Sequence, residues 1–318
     1  MPPSRESRFG LSFSPTTVIA SRFNSSGSIE LTEFSASSEY QTYYRGAVHK
    51  LHVSDHDIDE ANVKSIFHQT ISPITESLNE QIGHVPEYAA LFLPSIFDSR
   101  TRIAAADAIF LDAHYATKTG SSRQAACYGY GFLEGKNLGL PPYECTENGP
   151  ENFIFVLEYE EEYMYAWLLD VAFELGTYYV KQEKVSKGCG EGYRKVIGKQ
   201  AYQERINEFV QEFIANQVLP QHKRENIRAI VITGEASTEA ITELGIAALN
   251  AVGTGVVKLL TEIKPSEVVA HGAAVWARMT QHHPEHFKTH TGNKIPDEQY
   301  WAEEEARKAG RSDEHSEL

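Results

Sequence analysis

The chain has 318 residues, enough for two lobes that each bury a core, and 41% of them are hydrophobic, well above the level of disordered chains. With 44 acidic and 29 basic residues, the formal charge of −15 works against nucleic-acid phosphates and anionic lipid surfaces. Three widely spaced cysteines, Cys127, Cys145 and Cys189, suit a reducing compartment rather than a disulfide framework. No apolar run approaches the ~18–20 residues of a membrane span, and the amino end lacks a continuous apolar signal segment. The expected compartment is the cytoplasm, with the nucleus also open to such a protein.

Taken in chain order, Phe9 to Ser14 and Thr16 to Ser21 alternate as a hairpin, and Ile29 to Phe34 reads as a third strand. Residues 35–55, rich in Tyr and His, read as irregular structure with one short strand. Ala61 to Ile82 has helical apolar spacing interrupted by Pro73, which predicts one helix or two ending before Gly83. Tyr88 to Leu93 is a compact strand. Arg100 to His114 is an alanine-rich helix, and Ser122 to Leu133 is another helical stretch.

Phe153 to Leu157 and Met164 to Phe173 form a second strand pair around an acidic turn, Glu158 to Glu162, and Thr177 to Lys184 extends the meander. Lys187 to Gly192 carries three glycines without the Lys-Ser/Thr of a phosphate loop, so a flexible loop is expected. Ala201 to Leu219 is amphipathic. The strand Ala229 to Thr233, the turn at Gly234 and a Ser/Thr/Glu-rich helix start follow. Val256 to Leu260 is β-like, Lys264-Pro265-Ser266-Glu267 signals a helix start, and the small residues of the closing helix, Ala270, Gly272, Ala273 and Ala274, allow close approach. Strand, glycine turn and helix in this order place a ligand at the carboxyl ends of strands.

Some residues have plainer readings. Glu160 to Glu162 read as a solvated turn, because adjacent carboxylates seldom converge on one ion. His282, His286 and His290 share a face, but Pro284 interrupts it and no cysteine lies nearby, so a solvated tail is expected and no metal ligands are assigned. Cys127 reads as packing. Tyr163, Met164, Tyr165 and Trp167 read as strand filling, or with Tyr159 as an exposed aromatic patch for a partner.

Two stretches resemble the actin-like ATPase superfamily, and within it the nucleotide-binding domain of DnaK-type (heat-shock 70 kDa) chaperones. Ile232-Thr233-Gly234-Glu235-Ala236-Ser237 resembles the adenosine motif, and Lys264 to Val275 resembles the closing helix. Phe9 to Ser14 resembles the first phosphate turn, Phe155 to Leu169 the second, and Ala125 to Gly131 the connecting helix. The resemblance implies an α/β, two-lobed actin-like ATPase (ribonuclease H-like) fold. Short intervals between landmarks imply reduced outer subdomains, as in a shortened, divergent fungal-type member. The implied organisation is a disordered terminus at 1–8, a first lobe at 9–135, a second lobe with the adenosine-type motif at 136–280, and a charged peripheral tail at 281–318.

The resemblance also implies ATP or ADP with magnesium as cofactor, and cofactor-binding positions at Ser12, Ser14, Thr16, Thr17, Gly234, Glu235, Ser237 and Gly272. The phosphate motifs have changed, however. Ser12 and Ser14 stand at the family's aspartate and glycine, Pro15 lacks a backbone donor, and Glu160 to Glu162 stand at a glycine triplet. Glu158 is the one acidic position kept and the single catalytic candidate. The expectation is therefore a degenerate homologue, a pseudo-ATPase acting through an unidentified protein partner, with neither nucleic acid nor membrane involved. The alternative is an active ATP-hydrolysing chaperone-like protein with a metal shell rebuilt around Glu158, and a sugar- or acid-kinase relative is a third reading.

Overall fold

The computed structural model describes residues 8–51, 58–110, 119–132, 134–141, 150–172, 177–215, 224–253, 255 and 257–282. The tail beyond 282, with His286 and His290, and Cys145 lie outside these residues, as do parts of the stretches expected to be helical at 100–114, 122–133 and 201–219.

Within the described residues the chain is α/β and builds two mixed five-stranded sheets. In the first, β1 (Phe9–Phe13), β2 (Thr17–Phe23) and β3 (Ile29–Ser35) form an antiparallel meander. Here β4 (Tyr88–Leu93) and β5 (Thr119–Ser121) add parallel strands on the other side of β1. In the second, β6 (Phe153–Tyr159), β7 (Met164–Ala172) and β8 (Thr177–Ser186) form the meander. Then β9 (Ile227–Thr233) and β10 (Lys258–Leu260) run parallel beside β6. The orders β3-β2-β1-β4-β5 and β8-β7-β6-β9-β10 are the same topology used twice, although no sequence repeat announces it.

Strand alternation assigns the faces. In β1, Phe9, Leu11 and Phe13 enter an outer core with α1 (Ser38–Lys50), α2 (Glu60–Ile82) and α3 (Ser99–Ile109). The small residues Gly10, Ala89 and Ala90 face inward, where the last helix, α8 (Val268–His282), lies directly on the sheet. A Cβ on Gly10 would come 2.3 Å from the carbonyl oxygen of Ala273. In the second sheet, Phe153, Phe155 and Leu157 face α6 (Lys199–Ala215) and α7 (Thr238–Val252). Ile154 and Val156 face inward, into a cluster that takes in Cys127 of α4 (Ser122–Gly129) and Val268 of α8. A short helix, α5 (Arg194–Ile197), precedes α6.

α4 and α8 thus lie between the sheets and cross closely. A Cβ on Gly272 would sit 1.9 Å from the Ala125 carbonyl oxygen. The closing helix therefore packs on the first sheet although it follows the second in sequence.

Two expectations are corrected here. Residues 38–50 form a helix rather than irregular structure, with Tyr40, Tyr44 and Val48 buried at four-residue spacing and Ser37 accepting the Tyr40 N–H. Of the one helix or two expected over 61–82, the structure has one, with α2 continuous through the exposed Pro73 and ending at Gly83. The glycine-rich stretch 187–193 is built into the second sheet's hairpin. A Cβ on Gly190 would meet the Tyr163 nitrogen at 2.4 Å, and Glu191 N donates to Glu160 O at 2.9 Å. Cys127, as expected of a packing residue, is fully buried. Among the described residues, no helix is long and apolar enough to cross a membrane.

Candidate functional site

The two sheets bring their hairpin turns together at the carboxyl ends of β1 and β6. The β1–β2 turn is closed by Ser14 N donating to Thr17 O at 2.9 Å. It aims the hydroxyls of Ser14, Thr16 and Thr17 and the N–H of Thr16 toward one point. A carboxylate of the same chain occupies that point. Glu235, in the turn between β9 and α7, accepts from Thr17 Oγ1 at 2.5 Å and from the Ser14 hydroxyl on Oε1. Its Oε2 accepts from Thr16 N at 3.1 Å and Thr16 Oγ1 at 2.7 Å. Four donors of one sheet's turn are thus spent on a side chain carried by the other sheet.

The backbone around Gly234 places Glu235 there. Gly234 has φ +118°, in the region that favours glycine, and a Cβ on it would lie 2.2 Å from Tyr159 O. Its close approach is therefore to the chain's own second hairpin. Ala236 N donates to Tyr159 O at 3.3 Å, and Glu235 N donates to Glu160 Oε2 at 2.9 Å. Ser237 caps α7 by accepting from Ala240 N, while its own N–H donates to Glu191 Oε2 at 2.6 Å.

The acidic turn of the second hairpin is not uniformly solvated. Glu161 is exposed and Glu162 half-buried, but Glu158 and Glu160 are only 1% and 3% exposed. The solvated-turn expectation is corrected for Glu160. Its backbone closes the hairpin through N to Tyr163 O at 3.0 Å, which turns its side chain into the interface between the sheets. Glu158 accepts from Ser95 N at 3.2 Å and from the Tyr163 hydroxyl at 2.5 Å. Tyr163 is buried in the first sheet's outer core, in ring contact with Tyr44. The hairpin tip is therefore a plug, not an exposed aromatic patch.

Burial pushes the Glu158 carboxyl above the ordinary carboxylate range, opposed by the Tyr163 and Ser95 hydrogen bonds and by Arg123. Burial pushes Glu160 well above it, with the neighbouring Glu158 adding to the effect. The Tyr40, Tyr44 and Tyr163 hydroxyls are also held well above their ordinary range by burial, then by these carboxylates.

Beneath the Glu235 contact lies a chamber of about 10 Å³ lined by Ser12, Ser14, Ser122, Glu158, Glu160 and Thr233, among others. Glu158 and Thr233 are Cα partners at the inward-facing ends of β6 and β9. Above it opens a cleft of about 570 Å³. Of the positions expected to hold a cofactor, Ser14, Thr16, Thr17, Gly234 and Glu235 meet here, Ser12 lines the chamber floor, and Ser237 is tied to Glu191. Gly272 does not join them, since its missing side chain serves the α4–α8 crossing.

These residues do not fit a magnesium–nucleotide phosphate. The turn's donors already hold a carboxylate, Glu160 and Glu162 would repel the phosphates, and Glu158's oxygens are engaged. Among the described residues, no three His, Cys, Asp or Glu side chains gather as metal ligands. The sequence singled out Glu235 for its place in the motif. It did not reveal that its side chain fills the opposite turn, nor that Glu191, Ser95 and Thr233 belong to the site. No protein-family model matches the chain, and no curated protein matches it significantly.

Proposed function

We propose that this chain is a shortened, two-lobed actin-like (ribonuclease H-like) scaffold, a degenerate relative of the DnaK-type nucleotide-binding domain. It works as a pseudo-ATPase, a module that engages another protein rather than turning over ATP. The fold part of this reading is supported by the duplicated topology and by two helices crossing between the sheets. The functional part rests on one observation: the turn that would hold phosphate holds the carboxylate of Glu235.

The alternative, hydrolysis around Glu158, would need an accessible carboxylate to hold metal-bound water. Glu158 is buried, and its carboxyl is held by Ser95 N and the Tyr163 hydroxyl. A steady-state ATPase assay with magnesium, run beside Glu158→Ala, tests the proposal. Turnover at background in both proteins is expected. Magnesium-dependent turnover that disappears in Glu158→Ala would overturn it.

A further inference from the structure

The cleft has the wrong charge for a nucleotide and the right one for a cation. Among the described residues its walls carry Glu33, Glu160, Glu161, Glu162 and Glu235 against one cationic side chain, Lys264. Lys264 is itself engaged with Glu267 at 2.7 Å. Acidic residues alone would define only a solvated face, and the chamber below supplies the independent observation. Thr233 is fully buried, lines that chamber, and its hydroxyl has no hydrogen-bond partner.

Apart from the exposed Ser266, which the chamber shares with the cleft, the other polar side chains on the chamber wall are acceptors or have given their protons away. Ser14 donates to Glu235, Ser122 Oγ to Leu93 O at 3.1 Å, and Ser12 Oγ to Ile19 O at 3.5 Å. The carboxyls of Glu158 and Glu160 accept from the chain. What remains facing inward is a set of oxygen lone pairs and one unused hydroxyl, buried where an unmet polar group is costly.

We propose that this chamber and cleft bind a primary alkylammonium group. An ammonium head offers three donors and no acceptor, which complements an acceptor-lined space. At about 10 Å³ the chamber has room for one water-sized group. An ammonium head meets that limit, and a planar guanidinium, with five donors spread over a fork, does not. The chamber lies under the cleft and shares Ile19, Glu160, Gly234, Glu235, Pro265 and Ser266 with its wall. An alkyl stem leaving the chamber would run against Ile19, Pro15, Pro265 and Ile241, with Glu33 and Glu162 on the surrounding wall to meet further positive charge, while Glu161 is already paired with Lys195 at 3.7 Å. The same chemistry is carried by a lysine side chain of a partner protein and by a free polyamine. The inference rests on the reading that this cleft does not take nucleotide phosphate.

The test is titration of the full chain with butylammonium, spermidine and a lysine-containing peptide. The same peptide with arginine in place of lysine, and potassium chloride at matched ionic strength, are the comparisons. Saturable binding of the ammonium ligands is expected, weakened about tenfold by Thr233→Val, which removes only the unused hydroxyl, and at least as much by Glu160→Gln. Tighter binding of the lysine peptide assigns the source to a protein partner, and tighter binding of spermidine assigns it to a polyamine. No saturable response, an equal response to potassium or to the arginine peptide, or binding unchanged in both variants would overturn the proposal. Its failure with ATP still unbound leaves the pseudo-ATPase reading standing, whereas magnesium-dependent ATP binding removes that reading.

Discussion

Glu235 Oε1 accepts a 2.5 Å hydrogen bond from Thr17 Oγ1, joining the glycine turn of the second sheet to the first hairpin of the other. A carboxylate there presents two oxygens to donors that suit a phosphate, so the turn is satisfied without a ligand. The contact is also a latch, because its two ends belong to different sheets.

Glu235→Ala should remove this latch. The loss of charge-assisted hydrogen bonds at a half-exposed site is expected to lower stability by about 1–3 kcal/mol in denaturant unfolding. Glu235→Gln, which keeps the shape, should lose less. Equal stability of wild type and Glu235→Ala would mean that the latch contributes nothing.

Gly234→Ala separates a structural role from a ligand-binding one. A side chain at φ +118°, with its Cβ 2.2 Å from Tyr159 O, is expected to cost roughly 3 kcal/mol or more with no nucleotide present. An unchanged melting temperature would place the glycine's importance elsewhere.

The α4–α8 crossing gives a matched pair of variants. Gly272→Ala would drive a Cβ into the Ala125 carbonyl and should cost about 3 kcal/mol, because backbone lies on both sides of the contact. Gly46→Ala, in α1 with nothing within 4 Å of the new Cβ, should stabilise by about 0.5–1 kcal/mol. Thermal unfolding of the two should move in opposite directions.

Glu160 makes stability depend on pH. Its pKa in the folded chain is raised well above the ordinary 4.5, so between the two values the folded state binds more protons than the unfolded state. The contribution is fully present below the unfolded pKa and is lost as pH rises through the folded one. Glu160→Gln should flatten that decline and raise the melting temperature at neutral pH. A decline of the same size in wild type and variant would assign it to other groups.

Much of the scaffold was legible from pattern. The alternation of apolar and small residues in Phe9 to Phe13 and the continuous apolar run from Phe153 to Leu157 mark buried strands, and the small residues around Gly272 mark close helix contact. The helix at 38–50 was also legible, through Tyr40, Tyr44 and Val48, but its Tyr and His content obscured the period. The glycines at 188–192 looked mobile because sequence does not show the hairpin that packs on them. The site was legible only as a set of positions. That Glu235 reaches Ser14 and Thr17 depends on how the two sheets face each other, and more than two hundred residues separate the partners.

The most direct measurement is titration calorimetry of ATP and ADP, with and without magnesium, on the intact chain and on Glu235→Ala. If the carboxylate of Glu235 has taken the phosphate's place, the intact chain gives no binding heat and no thermal stabilisation even at millimolar nucleotide. Glu235→Ala, with its turn donors freed, then gains weak binding of phosphate-bearing ligands. Magnesium-dependent micromolar binding by the intact chain would contradict the account.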